Sequence, residues 1–272
     1  MKRAPAPAKL NLALVVGPRR DDGRHEVTTV LQRVDLVDRI TIARGDRLEV
    51  TGFAEDTLVR AALERLAAAA GVEPRWRARI EKRIPVASGL GGGSSDAASA
   101  LLLANGSLAQ PLDAAALHEL AAQLGTDVPF FLRPGPALGS GVGDELESVE
   151  LPQDFYVVLL LPDGETKRST ADVYAAFDAR GGEHGYAERR RALLEALRGV
   201  SRPRDLAELP PNDLVSSPQT ERVLEHGAFR ADVSGAGPMV YGLFMQRAQA
   251  DRAARQLRSL GRVWVTVPAW YG

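Results

Sequence analysis

The sequence contains no cysteine. That excludes disulfides, thiolate metal sites and a cysteine nucleophile together. It also lacks any apolar stretch near the ~20 residues that a membrane-spanning helix needs. The longest apolar runs, 155–161 and 63–70, read as a buried strand and a helix. The four histidines (His25, His118, His184, His226) are scattered, and no two stand at helical or zinc-ligand spacing. The formal net charge is only −1, with acids and bases interspersed, so no overall field favours nucleic acid or an anionic membrane. The arginine-rich stretch 189–204 is interleaved with Leu193, Leu194 and Leu197 and reads as a solvated helical face. Lys2 and Arg3 lead into no hydrophobic segment, so no secretory signal is read and a cytoplasmic location is expected.

With 272 residues, 45% hydrophobic and 25% charged, the chain is long enough for one large domain or two modest ones. Leu10, Leu12 and Leu14 alternate in a strand over 8–16. Asp22-Gly23 marks a hairpin turn, a strand resumes over 27–37, and 39–50 holds two shorter runs split by Gly45-Asp46. The spacing over 57–70 predicts an amphipathic helix ending at Gly71. Trp76, Ala78 and Ile80 alternate with charged residues in a further strand. Helices follow over 96–103 and 113–124, the second with Asp113 as N-cap and Gly125 as its stop. Residues 128–132 read as a short apolar strand and 135–143 as a glycine-rich loop. A boundary near Leu151-Pro152 separates 1–152 from 153–272. The second half reads strand, two helices, a linker at Pro210-Pro211, helix, strand near 239–244, helix over 248–260 and strand over 262–267. Strands and helices mix without regular alternation, so the fold class is α+β.

The most informative stretch is 85–96: Pro85, Val86, Ala87, Ser88, Gly89, Leu90, Gly91, Gly92, Gly93, Ser94, Ser95, Asp96. Four glycines within five positions let the backbone approach a ligand and turn its amides inward. The following helix start supplies free N–H groups and the positive end of a dipole, an anion site. Ser94 and Ser95 add hydroxyls for phosphate oxygens or magnesium. No lysine follows the glycines, so this is not a Walker A loop, and Ser94 breaks the G-x-G-x-x-G pattern. A plain flexible turn is the structural alternative, which the tight placement between strand and helix disfavours. Ser234-Gly235-Ala236-Gly237 is a second glycine turn, either closing over a substrate or serving as a simple β-turn. Asp127, in Gly125-Thr126-Asp127-Val128-Pro129, puts a carboxylate in apolar company, which is costly unless it is paired. A lysine would pair it; local amides at the helix end would be the structural alternative.

In this order, the segments 7–12, 20–26, 85–98, 124–131, 212–214 and 234–237 resemble the GHMP kinases. Pro7-Ala8-Lys9-Leu10-Asn11 together with Asp22-Gly23-Arg24-His25 is similar to the branch acting on a cytidine-diphosphate-linked methylerythritol. The resemblance implies a two-domain α+β fold: an S5-like N-terminal ATP-binding domain, a ferredoxin-like C-terminal domain, and the site in the cleft between them. It implies ATP and Mg²⁺ as cofactors and a small-molecule acceptor phosphorylated on its 2-hydroxyl; from charge and composition no nucleic-acid or membrane partner is expected, and a monomer or weak homodimer is expected. Asp127 matches the family's catalytic aspartate and Lys9 its partner lysine. The loop from Pro85 through Ala87, Ser88, Gly89, Leu90, Gly91, Gly92, Gly93, Ser94 and Ser95 matches the ATP-binding segment, with Ser95 the candidate magnesium ligand. Asn11 matches a substrate contact, His25 the histidine that bonds the cytosine, and Thr170 and Tyr174 the opposing wall. Arg24 stands where an aromatic residue is frequent, Thr57 where an asparagine near the adenosine is usual, and Ala236 where Ser or Thr is common. The competing readings are another kinase of the superfamily, with a mevalonate- or homoserine-type acceptor, and a non-catalytic ATP-binding regulator.

Overall fold

The computed structural model describes residues 1–56, 58–164 and 169–269; Thr57, one of the sequence candidates, lies outside them. Two long strands dominate the first half. β1 (Lys2–Arg19) and β2 (His25–Arg44) pair antiparallel, with register shifts after Pro7, Asn11 and Val16. Such bulges bend a strand and re-aim its side chains. The separate runs expected over 27–37 and 39–50 instead merge into β2 up to Arg44. The strand continues through Asp38, fully buried, because its carboxylate accepts from Lys82 Nζ and from the N–H groups of Arg83 and Ile84.

The first sheet runs β3 (Glu49–Thr51), β4 (Trp76–Glu81), β2, β5 (Ala137–Ser140), β6 (Glu145–Ser148), with β1 paired to β2. The expected loop over 135–143 is thus partly the β5–β6 hairpin. Gly139 sits opposite Thr29 on β2, where an added Cβ would press on the threonine methyl at 3.1 Å; here glycine permits close pairing. Helices α1 (Leu58–Ala69), α2 (Gly92–Asn105) and α3 (Ala114–Leu124) bury Leu63, Leu66, Leu101 and Leu117 with Ile40, Ile42 and Ile80 of the sheet. Asp113 caps α3, its Oδ1 accepting from Ala116 N–H at 2.9 Å. α2 starts four residues earlier than the spacing predicts, so the serine pair lies in its first turn. Residues Pro129–Leu132 form a 3₁₀ turn rather than a strand. Proline lacks the N–H a strand would use, and its fixed φ suits a helical first position.

The second sheet, antiparallel in the order β10-β7-β9-β8, comprises β7 (Tyr156–Pro162), β8 (Arg230–Val233), β9 (Val240–Phe244) and β10 (Gly261–Thr266). Helices α4 (Thr170–Ala179), α5 (Tyr186–Gly199), α6 (Gln219–Glu225) and α7 (Arg247–Leu257) accompany it. β8 has no apolar alternation to announce it, because Arg230 and Asp232 are buried and paired with each other at 3.3 Å. On α5, Arg190, Arg191 and Arg198 face solvent while Leu193 is buried.

β1 is the seam between the two sheets. Its Leu10, Leu12 and Val15 share a core with Phe155, Leu159, Met239 and Tyr241. Buried Arg230 donates to the carbonyls of Leu12 and Pro210, and Asp213 Oδ2 accepts from Val16 N–H and Arg189 Nε. Buried carbonyls need such donors, and supplying them locks the second half onto β1. Among the described residues no helix is long and apolar enough to cross a membrane.

Candidate active site

Residues two apart on a strand share a face, and on β1 that face carries Lys9 and Asn11. Lys9 Nζ donates to Asn11 Oδ1 at 2.6 Å and lies 3.4 Å from Asp127 Oδ2. Asn11 Nδ2 donates to Thr29 Oγ1, which donates to the carbonyl of Ala13, both at 2.8 Å. That relay fixes which end of the Asn11 amide meets the ammonium. Lys9 is only 4% exposed, and a buried cation requires such partners. Asp127, in the turn after α3, leaves 37% of its side chain open to the cavity. The turn is clamped from behind by Arg33, whose Nη2 donates to the carbonyls of Phe130 and Arg133. Burial lowers the Arg33 pKa to about 10, so it stays charged near neutrality.

The glycine loop docks on both halves through its backbone. Lys9 N–H donates to the Leu90 carbonyl at 2.9 Å, Met239 N–H to the Ser88 carbonyl at 3.1 Å, and Ser234 Oγ to the Gly89 carbonyl at 3.1 Å. Gly89 has φ +86°, and a Cβ there would overlap the Ser234 carbonyl oxygen. At Gly91, φ +67°, a Cβ would press on Lys9 Cγ at 3.0 Å and Phe131 Cε2 at 3.2 Å. No side chain caps α2, so the N–H groups of its first turn are free for an anion. Asn212 Nδ2 bonds the carbonyls of Val233 and Gly235 and holds the second glycine turn in place.

A cavity of about 240 Å³ lies between loop and turn, walled by Lys9, Asn11, Gly89, Gly91, Asp127 and Ala236. It continues into a second of about 420 Å³, because Thr126, Val142, Thr170 and Tyr174 line both. There His25, 7% exposed, stacks on Tyr174 at 4.8 Å and bonds Asp178 Oδ1 through Nε2 at 2.7 Å. Burial, with a smaller contribution from the Asp127 charge, pushes the Tyr174 phenol up to about 12, keeping it protonated. Arg24 lines the mouth but folds onto Asp22, with Nη2–Oδ2 2.8 Å; its guanidinium is engaged there rather than free over a base.

Lys9, Asn11, Asp127, His25, Thr170 and Tyr174, drawn from distant segments, therefore converge on one space. Within the loop only Ala87, Gly89 and Gly91 line it. Ser88 and Leu90 point inward and serve as anchors, while Pro85, Gly92, Gly93, Ser94 and Ser95 form the loop entrance and helix start. Asp178 escaped the sequence reading, whereas Thr126 and Ser234 lay inside motifs it quoted but were given no role of their own. For Asp178 a signal existed: it stands four residues after Tyr174, hence on the same helical face.

A buried cluster also lies beneath the loop. Lys82 Nζ joins Asp38 Oδ2 at 2.5 Å and Asp96 Oδ2 at 2.8 Å. Asp96, 1% exposed, has its Oδ1 unpartnered among the described residues. Burial, then the Asp38 charge, outweighs Lys82 and pushes the Asp96 carboxyl up to about 7. A carboxyl that holds its proton more tightly when folded adds stability below its unfolded pKa and loses it as pH rises through the folded value. Asp96→Asn should therefore gain stability relative to wild type between pH 5 and pH 8, by about 1 kcal/mol or more. Urea midpoints at the two pH values measure this, and parallel profiles would refute it.

The family description "GHMP kinases N terminal domain" matches residues 57–135, and "GHMP kinases C terminal" matches residues 219–263. A 4-diphosphocytidyl-2-C-methyl-D-erythritol kinase from an Anaeromyxobacter species is 40% identical, over 93% of this chain and 85% of the relative. The enzyme of that name from Salinispora tropica is 37% identical, over 95% and 88%. A crystal structure of 4-(cytidine 5'-diphospho)-2C-methyl-D-erythritol kinase superposes with a TM-score of 0.80 at 33% identity, covering 98% of this chain and 99% of that one. With the loop, the lysine–aspartate pair and the two joined cavities in place, this chain belongs to the 4-diphosphocytidyl-2-C-methyl-D-erythritol kinase family of the GHMP kinases.

Proposed function

We propose that the chain transfers the γ-phosphoryl group of ATP to the 2-hydroxyl of 4-diphosphocytidyl-2-C-methyl-D-erythritol, a step of the non-mevalonate route to isoprenoid precursors. The observation that carries this reading is the continuous cavity running from Lys9 and Asp127, beneath the glycine loop, to the pocket of His25 and Tyr174. It holds a reacting centre at one end and a flat, aromatic-walled pocket for a base at the other. Residues 1–152 supply the ATP-binding half and 153–272 close the cleft, in the cytoplasm.

Asp127 accepts the proton of the attacking hydroxyl as the new O–P bond forms and the bond to the departing ADP breaks. Lys9, 3.4 Å from that carboxylate, holds it in place and offsets negative charge on the phosphoryl oxygens. The N–H groups at the start of α2 face the phosphates, and most of the acceleration is positional and electrostatic. Among the described residues no cluster of His, Cys, Asp or Glu could hold a metal by itself, which suits a magnesium ion carried on ATP phosphates. Among the described residues the Ser95 hydroxyl, buried at the helix start, has no hydrogen-bond partner and would be the protein oxygen to hold such an ion, which would supply charge neutralisation.

A coupled ADP-release assay with the cytidyl substrate, mevalonate and homoserine tests the assignment. Turnover confined to the cytidyl substrate is the expected result. Turnover with another acceptor alone, or none despite ATP binding, would overturn it.

A further inference from the structure

Three residues of α4 stand at i, i+4 and i+8 on one helical face: Thr170, Tyr174 and Asp178. The face is set by a capping box, in which Ser169 Oγ accepts from Asp172 N–H while the Asp172 carboxylate accepts from Ser169 N–H. All three residues line the second cavity. The first two belong to the site as read above; Asp178 has no role in it.

Its contact is specific. Asp178 Oδ1 lies 2.7 Å from His25 Nε2. An ionised carboxylate can only accept, so the proton of a neutral imidazole is drawn to Nε2 and Nδ1 is left with its lone pair. Among the described residues Nδ1 has no hydrogen-bond partner, although the histidine is 7% exposed and lines the cavity. Tyr174, stacked at an interplanar angle of 29°, fixes the ring plane, and Phe177 meets its edge at 5.9 Å. The neighbouring cation is engaged elsewhere, since Arg24 is held by Asp22. The pocket thus offers the base a lone pair of defined direction. A pyrimidine bearing an exocyclic amino group donates into it; one bearing a carbonyl at that position sets oxygen against nitrogen, and the site's acceptor stays unpaired.

We propose that Asp178 is a specificity-determining positioning residue, which selects an amino-bearing over an oxo-bearing pyrimidine by fixing the tautomer of His25. The proposal rests on the reading of this cavity as the base pocket. Kinetics with the cytidine-linked acceptor and its uridine-linked counterpart, at saturating ATP, test it in Asp178→Ala and Asp178→Glu. The wild type prefers the cytidine compound. In Asp178→Ala that preference falls by about tenfold or more, through a raised KM with kcat little changed, and Asp178→Glu recovers most of it. The ¹⁵N spectrum of His25 reports the tautomer without any substrate: Nε2–H in the wild type and a mixture in Asp178→Ala.

A wild-type preference that Asp178→Ala retains in full overturns the proposal, as does an unchanged tautomer in that variant. Equal loss towards both acceptors reduces Asp178 to a packing role and equally overturns it. A wild type with no preference refutes the base-pocket reading itself, and the proposal with it.

Discussion

Asp127→Asn should lower kcat by about a thousandfold while ATP affinity and the unfolding midpoint stay close to wild type. The substitution keeps size and shape, and Asp127 is partly open to the cavity, so little packing is disturbed. Lys9 retains Asn11 Oδ1 at 2.6 Å as a partner, which limits the cost of leaving its ammonium buried. What disappears is, among the described residues, the one carboxylate that both pairs with the lysine and lines the space beneath the loop. Positioning and loop amides remain, so residual catalysis persists. Steady-state kinetics with calorimetric ATP binding measure the split. A variant within tenfold of wild type would remove proton acceptance by Asp127 from the mechanism.

Gly89→Ala should destabilise the fold by roughly 3 kcal/mol or more and weaken ATP binding together with it. Two penalties combine at this position. A φ of +86° is costly for any residue with a Cβ, and the new methyl would overlap the Ser234 carbonyl oxygen, which belongs to the turn the loop docks against. Backbone cannot swing aside as a long side chain can, so either the loop or the second glycine turn must move. Gly71 provides the control. It also has a positive φ, +63°, but a Cβ there meets nothing within 4 Å, so Gly71→Ala should cost only about 1 kcal/mol. Denaturant midpoints for the two variants separate strain from overlap. Equal losses would show that the contact with Ser234 contributes nothing.

Much of the local structure was legible because it depends on near neighbours in the chain. The Asp22-Gly23 hairpin, the α3 cap at Asp113, the strand over Trp76–Glu81 and the amphipathic α7 each follow from period, capping and turn chemistry. Misreadings clustered where a distant partner overrides the local rule. Asp38 breaks an apolar pattern, yet β2 runs through it because Lys82 and two backbone amides satisfy the carboxylate. β8 was invisible because its polar residues pair with each other and with carbonyls from elsewhere. Gly139, a loop signal in sequence, is a close-packing residue inside β5.

By itself the sequence determined the family resemblance and the candidate parts: a glycine loop at a helix start suited to an anion, a lysine and an aspartate expected beside it, and no cysteine. Those properties reside in residue types and short spacings. The tertiary structure decided which groups meet. It brought Lys9 to within 3.4 Å of Asp127 across 118 positions of chain, set the loop against Ser234, and joined the phosphate cavity to the pocket of His25. It also gave His25 a carboxylate partner on a helix of the other half. No local pattern encodes such meetings, because they follow from how β1, as the seam, packs both sheets around one shared core.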